Sequence, residues 1–348
     1  MNPSLLITFD YEVFLGSKSG TIQNCLIDPT NRVLTILAKH NFKSLFFVDA
    51  LYLCRLQESS SPQNQADLKT IFLQLEDIVK QGHQIGVHIH PHWLDAEYQE
   101  DSNNWNGTNK NHFALSCLDD SLRAETIQKS VEILSPYMDM TRPITYRAGG
   151  FYCQPFSLLQ DAFAQNNIWI DFSVMRDFTS TGYKNLFAFD FTNPPQELIY
   201  RFDDNPLVPS KAGKFIEVSV NSFRLGGLSR IRNSIYFRLN RTSPKMNRMG
   251  DGSGSGNFIA HQGDGDYSRY FRSHQNYAVE LLNPVLAHSY NQQLKEQKLI
   301  HLVSHPKSFT PIGLEGFDLF CQLAAKQKPE TDYRTIIRNY LNEPQLNL

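Results

Sequence analysis

Three closely spaced histidines are the sharpest chemical signal in the sequence. His88, His90 and His92 follow an apolar segment in Gly86-Val-His-Ile-His-Pro-His-Trp93. Imidazole is a common ligand of zinc and related divalent metals, and a catalytic site leaves one coordination position for water. If the chain turns helically after a strand, His88 and His92 can bind one ion, whereas alternation along extended chain points His90 away from them. The alternative, that these histidines only pack or face solvent, is disfavoured by their number.

Two carboxylates follow the first apolar segment of the chain, Leu5-Leu-Ile-Thr-Phe9. They are Asp10 and Glu12. A carboxylate at the end of a buried strand needs a metal ion or an arginine as its partner, because burying it alone is unfavourable. The pattern therefore predicts Asp10 and Glu12 as catalytic or metal-binding residues, and the alternative is a helix cap or ordinary loop polarity.

Three further polar residues end other apolar segments: Arg147, Asp171 and His305. Active sites of parallel α/β barrels are built at the carboxyl ends of the strands, so residues far apart in sequence are expected to converge there. Arg147 is suited to pairing with a carboxylate, and the two glycines that follow it allow close approach of the backbone. The alternatives are a structural salt bridge for Arg147 and, for His305, a core histidine satisfied by Asp171.

Strand and helix patterns alternate along most of the chain. Apolar runs predict strands at 5–10, 44–48, 84–88, 144–147, 168–171 and 299–304, and helical periodicity predicts intervening helices, one of them long, at 267–297. This alternation favours βαβ units and a parallel sheet or barrel. We expect one domain over 1–348, with a β-rich insertion at about 187–240 and a flexible Gly/Ser-rich loop at about 241–267.

Composition excludes several classes of protein. Lys and Arg total 33 against 35 Asp and Glu, a net charge of −2, which argues against a nucleic-acid partner. No apolar run reaches the roughly 18 residues of a membrane-spanning helix, so no membrane insertion is expected. The five cysteines form no Cys-x-x-Cys pair, and the N-terminus lacks the pattern of a secretory signal. These features predict a cytoplasmic protein, and they leave the oligomeric state open.

The ordered segments together resemble the polysaccharide deacetylases, the NodB-homology group of carbohydrate esterases. Thr8-Phe-Asp10 resembles the start of the first family motif, Thr-Phe-Asp-Asp-Gly, and Gly82-His-Gln-Ile-Gly-Val-His88-Ile-His-Pro-His92 closely resembles the second, Gly-His-Glu-Ile-Gly-Asn-His-x-x-x-His. Tyr146-Arg-Ala148, Asp171-Phe-Ser-Val174 and Leu302-Val-Ser-His305 resemble the third, fourth and fifth motifs. The resemblance runs over residues 4–306, and the second motif is its most specific part.

The resemblance implies an α/β fold, a deformed (β/α) barrel, and metal-dependent removal of an N-acetyl group from a sugar. His88 and His92 become metal ligands, Asp10 the general base, Arg147 the group that orients Asp10, and His305 the general acid with Asp171 behind it. The expected cofactor is a divalent metal ion, and zinc is expected ahead of other metals. The expected substrate is an acetylated sugar or a polysaccharide or lipopolysaccharide precursor.

Two departures from the family pattern bear on this interpretation. Tyr11 stands where the family has its second aspartate, the third metal ligand, and Glu12 stands where it has glycine. Either Glu12 ligates the metal, or Asp10 ligates it and Glu12 acts as base, or metal binding is lost. Gly149-Gly150 also replaces the proline of the third motif. Two other functions therefore stay open: an amidohydrolase of another small C–N substrate on the same fold, and a non-catalytic carbohydrate-binding or scaffold protein.

Overall fold

A computed structural model of the chain describes residues 3–180, 189–255 and 274–348. The chain divides into two compact units, each built from separate stretches of sequence. The first unit comprises Met1–Ser44 and Asn221–Tyr333, and the second comprises Leu45–Val220 and Arg334–Leu348. The expectation of one catalytic domain stays a prediction.

The described strands and helices are numbered along the chain. The strands are β1 (Ser4–Tyr11), β2 (Leu15–Lys18), β3 (Leu45–Asp49), β4 (Gln84–Ile89), β5 (Glu97–Gln99), β6 (Asn104–Asn106), β7 (Ile144–Ala148), β8 (Ile168–Asp171), β9 (Thr179–Ser180), β10 (Phe189–Asp190), β11 (Ile199–Phe202), β12 (Phe215–Val218), β13 (Ser222–Arg224), β14 (Ser253–Ser255), β15 (His274–Asn276) and β16 (Leu299–Ser304). The α-helices are α1 (Asp28–His40), α2 (Ala50–Glu58), α3 (Pro62–Lys80), α4 (Asp120–Leu134), α5 (Gln160–Gln165), α6 (Gly227–Asn240), α7 (Pro284–Glu296), α8 (Pro311–Ala325) and α9 (Tyr333–Leu341).

The first unit is organised around the parallel pair β1 and β16. Every residue of both strands is buried, as their continuous apolar runs predict. Ser4 pairs with Leu299 and Phe9 with Ser304, so the residues after both strands emerge at the same end. Helix α1 starts at Asp28 with Pro29 in its first turn, and it ends where Asn41 adopts a left-handed conformation.

The second unit contains a sheet with the strand order β11-β12-β8-β7-β4-β3. All of its pairs are parallel except β11 with β12, which is antiparallel. The register places Asp49 beside His88, His88 beside Arg147, and Asp171 beside Glu217, so polar residues occupy the carboxyl ends of adjacent strands.

The α/β class is confirmed, with the parallel strands and intervening helices of a deformed (β/α) barrel. No helix among the described residues is long and apolar enough to cross a membrane.

The region after residue 187 differs from its prediction in two ways. Strand β12 is part of the main sheet of the second unit and does not belong to a separate β-rich insertion. Residues 227–240 form helix α6, although Ile235-Tyr-Phe has the composition of a strand. The spacing of Leu228, Ile231, Ile235 and Leu239 is helical, and this periodicity describes the segment better than its local composition does.

The long helix predicted at 267–297 is shorter than expected. It begins at Pro284, because the Asn283 side chain caps the first turn by accepting the N–H groups of Val285 and Leu286. Before it, β15 pairs antiparallel with β13. The predicted loop at 241–267 is described only to residue 255, where β14 pairs with β2, and the rest lies outside the described residues.

Candidate active site

Three of the predicted residues lie together at the carboxyl end of β1 and β16. Asp10, Glu12 and His305 are all buried in the first unit. His305 Nε2 lies 3.5 Å from Asp10 Oδ2 and 3.7 Å from Glu12 Oε1. The parallel register explains the approach, since the pair Phe9 and Ser304 is followed by Asp10 on one strand and His305 on the other.

The other ring nitrogen of His305 is held by Glu280. Nδ1 lies 3.2 Å from Glu280 Oε1, which also accepts the His305 backbone N–H at 3.1 Å. Glu280 Oε2 accepts the Ser304 hydroxyl at 3.2 Å. A carboxylate at Nδ1 fixes the orientation of the ring and leaves Nε2 to face Asp10.

Glu280 therefore takes the place that the sequence analysis gave to Asp171. The chain before α7 runs beside β16, because the Val303 N–H donates to the Tyr277 carbonyl at 2.9 Å. Three residues after Tyr277, this parallel course brings Glu280 to the end of β16. The expected long helix would have placed Glu280 in its interior, so the sequence interpretation missed the contact.

Glu12 forms a buried salt bridge with Lys307. Lys307 Nζ donates to Glu12 Oε1 at 2.8 Å and to the Val13 carbonyl at 2.8 Å. Removing either charge would bury the other without this counter-ion, which is unfavourable. Tyr11, between the two carboxylates, is buried, and burial raises the pKa of its phenol well above the ordinary value. Tyr11 is therefore a neutral phenol and a poor substitute for the aspartate of the family motif.

The histidine cluster lies at the end of β4 in the second unit. His88 Nδ1–H donates to the Arg147 carbonyl at 2.8 Å, because a carbonyl oxygen only accepts. This bond selects the tautomer in which Nε2 carries the lone pair, the form in which imidazole binds a metal. The rings of His88 and His90 lie 4.7 Å apart, those of His90 and His92 lie 5.4 Å apart, and all three are buried.

The chain turns after β4 through a 3-10 turn at Pro91–Leu94. The turn is tied to β3, since Trp93 Nε1 donates to Asp49 Oδ2 at 2.6 Å. On the other side, the end of β7 packs closely against His90. A Cβ on Gly149 would lie 2.6 Å from His90 Nδ1 and 2.5 Å from the Ile89 carbonyl, so only glycine fits there.

Arg147, whose carbonyl accepts the His88 hydrogen bond, is fully buried. Its guanidinium lies 4.2 Å from the Phe47 ring centroid, and its Nε donates to the Phe172 carbonyl at 3.2 Å. Its charge also lowers the pKa values of Asp171 and Glu217, although burial is the larger influence on both. The proposed role of Arg147 in orienting Asp10 stays a prediction.

Asp171 and Glu217 form a buried carboxyl pair across β8 and β12. Ser173 Oγ donates to Asp171 Oδ1 at 2.5 Å, and the Val174 N–H donates to Glu217 Oε1 at 3.1 Å. Burial raises the pKa of both carboxyls, and the charge of Asp171 raises that of Glu217 further. Such a pair retains a proton at pH values where isolated carboxyls have lost theirs.

Three residues of these clusters were missed by the sequence analysis: Glu217, Glu280 and Lys307. Each has a signal that could have found it. Glu217 and Glu280 are single acidic residues within apolar runs, Phe215-Ile-Glu-Val and Ala278-Val-Glu-Leu-Leu282. Lys307 follows His305 by two residues, and a lysine so close to a candidate site is a natural counter-ion for Glu12.

The histidine cluster of the second unit suits a divalent metal ion, since it offers imidazoles and His88 is fixed in the ligating tautomer. Imidazole and carboxylate are the ligand types of catalytic zinc sites.

Comparisons with known proteins give only distant similarities. No protein-family model matches the chain, and no curated protein matches its sequence. Among solved structures, it is similar to a protein described as a polysaccharide deacetylase from Mycobacterium smegmatis, with a TM-score of 0.46 and 12% identity over 99% of this chain and 92% of the other. It is also similar to a family 4 carbohydrate esterase from Streptomyces lividans, with a TM-score of 0.39 and 9% identity over 95% and 92% of the two chains. A GH57-type branching enzyme from Pyrococcus horikoshii gives a TM-score of 0.49 and 9% identity over 100% and 72%. At these values we draw no inference about activity from any of the three.

Proposed function

We propose that this protein is a metal-dependent hydrolase that removes an N-acetyl group from a sugar. The ordered sequence motifs support the reaction class, and one observation carries the proposal. This observation is the arrangement of His305, with Glu280 at Nδ1 and Asp10 3.5 Å from Nε2. A histidine oriented by one carboxylate and facing another is suited to moving a proton at the reacting bond.

The proposed metal ligands are Glu12, His88 and His90. His92 is the alternative to His90 that the family resemblance implies, and Asp10 is the alternative to Glu12. Zinc is the expected ion, since it accepts this combination of nitrogen and oxygen ligands. When bound, the ion supplies Lewis-acid polarisation of the amide carbonyl and lowers the pKa of an attacking water.

The side chains supply the proton transfers. Asp10 accepts a proton as the water oxygen adds to the acetyl carbon. The C–N bond then breaks, acetate leaves, and His305 Nε2 donates a proton to the departing amine. Glu280 stabilises the imidazolium form of His305 through Nδ1, as the aspartate of a catalytic triad does. Lys307 neutralises Glu12 and so keeps the cluster from carrying three uncompensated carboxylates.

The substrate we propose is an acetylated sugar of a polysaccharide or lipopolysaccharide precursor. The test incubates zinc-loaded protein with N-acetylglucosamine oligomers and measures free acetate, with a cyclic ureide as the parallel substrate. The His305→Ala variant is compared with His288→Ala, which removes an exposed histidine on α7. Acetate release that fails in His305→Ala and persists in His288→Ala supports the proposal. Turnover of the ureide alone would indicate the amidohydrolase, and bound sugar without turnover would indicate a carbohydrate-binding protein.

A further inference from the structure

Helix α6 presents an apolar stripe to solvent. Leu228, Ile231, Ile235 and Leu239 are 63%, 59%, 52% and 77% exposed. Their spacing of three or four residues places all four on one side of the helix. Single exposed aliphatic residues are ordinary, but a continuous row of four on one helix marks an interaction surface.

The opposite side of α6 is anchored to the first unit. Phe237 packs in a small core with Met246, Leu281 and Ile312. Asn233 is buried, and its side-chain carbonyl accepts a hydrogen bond from the Asn283 amide at 2.7 Å. The helix is therefore fixed in rotation, and its apolar stripe faces outward.

The charged residues of the segment that carries the stripe are all basic. Residues 221–250 contain six Arg and one Lys, with no Asp or Glu, in a chain whose net charge is −2. At 3.6 residues per turn, Arg232 and Arg238 lie on opposite flanks of the stripe, each about 20° beyond its edge. Both are exposed. Of the other basic residues, Lys245 is paired with Glu315 at 2.7 Å, whereas Arg230 and Arg241 are exposed at the surface.

We propose that α6 is a peripheral membrane-binding site that lies on an anionic lipid surface. Aliphatic side chains flanked by arginines match the boundary between acyl chains and negatively charged headgroups, into which interfacial helices sink by about 5–10 Å. An anionic lipid surface presents negative charge along both flanks of the helix at once, so it can contact Arg232 and Arg238 together. The inference rests on α6 and its surroundings alone, so it is independent of the proposed hydrolase activity.

The test is flotation of the full chain with vesicles of phosphatidylcholine alone and of phosphatidylcholine mixed with phosphatidylserine. We expect binding to the mixed vesicles only, and weaker binding as salt is raised. Each basic residue near such a surface contributes about fivefold in affinity, so Arg232→Ala with Arg238→Ala should lower partitioning about 25-fold. Ile235→Ala with Leu239→Ala should lower partitioning by at least about tenfold, because each methylene group buried in the acyl region adds to the free energy of binding.

Matched controls come from other exposed helices. Leu73→Ala on α3 removes a leucine that is 57% exposed, and Arg32→Ala on α1 removes an exposed arginine. Both should bind as the wild type does, and all variants should keep its melting temperature. Equal binding to neutral and anionic vesicles, no binding even at low salt, or equal losses in the controls would overturn the proposal. So would wild-type self-association that the α6 variants abolish without any vesicle binding, because the stripe would then join two copies of this chain.

Discussion

The two units carry polar clusters of different character. In the first unit, acidic and basic side chains alternate: Glu280 contacts His305, which faces Asp10 and Glu12, and Glu12 pairs with Lys307. In the second unit, like groups adjoin one another, first the three imidazoles and then the two carboxyls of Asp171 and Glu217. Alternating acidic and basic groups are suited to relaying a proton, whereas adjacent neutral imidazoles are suited to binding one cation together.

This comparison assigns separate tasks to the two clusters. Loss of a second-unit imidazole should remove the metal, and loss of His305 should slow turnover while the metal stays bound. Metal loss in a His305 variant, or metal retention in the imidazole variants, would contradict this division of tasks between the two clusters.

The largest effect is expected from His88→Ala. The variant should lose bound metal and lower the rate of acetate release by about 10³-fold or more, because a Lewis acid contributes several kcal/mol to the transition state. Metal content by elemental analysis and rate are measured on one preparation, with His288→Ala as control. The same pair of measurements on His90→Ala and His92→Ala identifies which second imidazole is a ligand. Full metal occupancy in His88→Ala would refute the assignment.

His305→Ala should retain metal and lower turnover by roughly 10²–10⁴-fold, the range typical of acid–base groups. Wild-type melting temperature and metal content in this variant establish that the loss is chemical. If instead the variant unfolds in proportion to its loss of rate, His305 is a structural histidine of the core.

Glu280→Gln should have a smaller effect. Glutamine preserves the volume but removes the charge that stabilises the imidazolium, so we expect a loss of roughly 10–10²-fold, the range found for carboxylates behind metal-binding histidines. The comparison variant is Glu296→Gln, which changes a glutamate near the end of α7. A change in KM with unaltered kcat would show that Glu280 acts on substrate binding and not through His305.

The smallest effect concerns the pH dependence of stability. Because burial raises the pKa of Asp171 to about 6 and that of Glu217 well above its ordinary 4.5, the folded pair retains protons that the unfolded chain has released. Stability from this pair is therefore full at low pH and falls as pH rises.

Glu217→Gln removes one of the two titrating carboxyls, and with it one proton that the folded chain retains and the unfolded chain releases. Relative to wild type, the variant should gain free energy of unfolding as pH rises above about 5, by up to about 1.4 kcal/mol per pH unit. Urea denaturation at several pH values measures this, and Glu97→Gln, an exposed change on β5, is the control. A wild-type-like pH dependence would mean that the pair does not share a proton.

The sequence predicts much of the parallel framework and the residues at its strand ends. Strands β1, β4 and β16 are buried and largely apolar, and the polar residues that the structure places in clusters lie at or just after their carboxyl ends. Such segments predict strands well, because burial on both faces restricts their residues to apolar types.

Contacts that depend on tertiary arrangement were not predictable in this way. Glu280 reaches His305 only because the chain before α7 lies beside β16, and no local pattern encodes that course. Likewise, the tautomer of His88 is set by the Arg147 carbonyl, a backbone group that carries no sequence signal. Helix α6 has helical periodicity, but the apolar residues on its exposed face give the segment the composition of a buried strand.

Metal dependence of acetate release is the most direct test of the account. Metal-free protein is titrated with zinc while acetate release from N-acetylglucosamine oligomers is followed. We predict that the rate rises linearly and reaches a plateau at about one equivalent of zinc, and that His88→Ala shows no such rise. A full rate in the presence of a chelator, or no acetate release by the zinc-saturated wild type, would contradict the claim that this protein is a metal-dependent deacetylase.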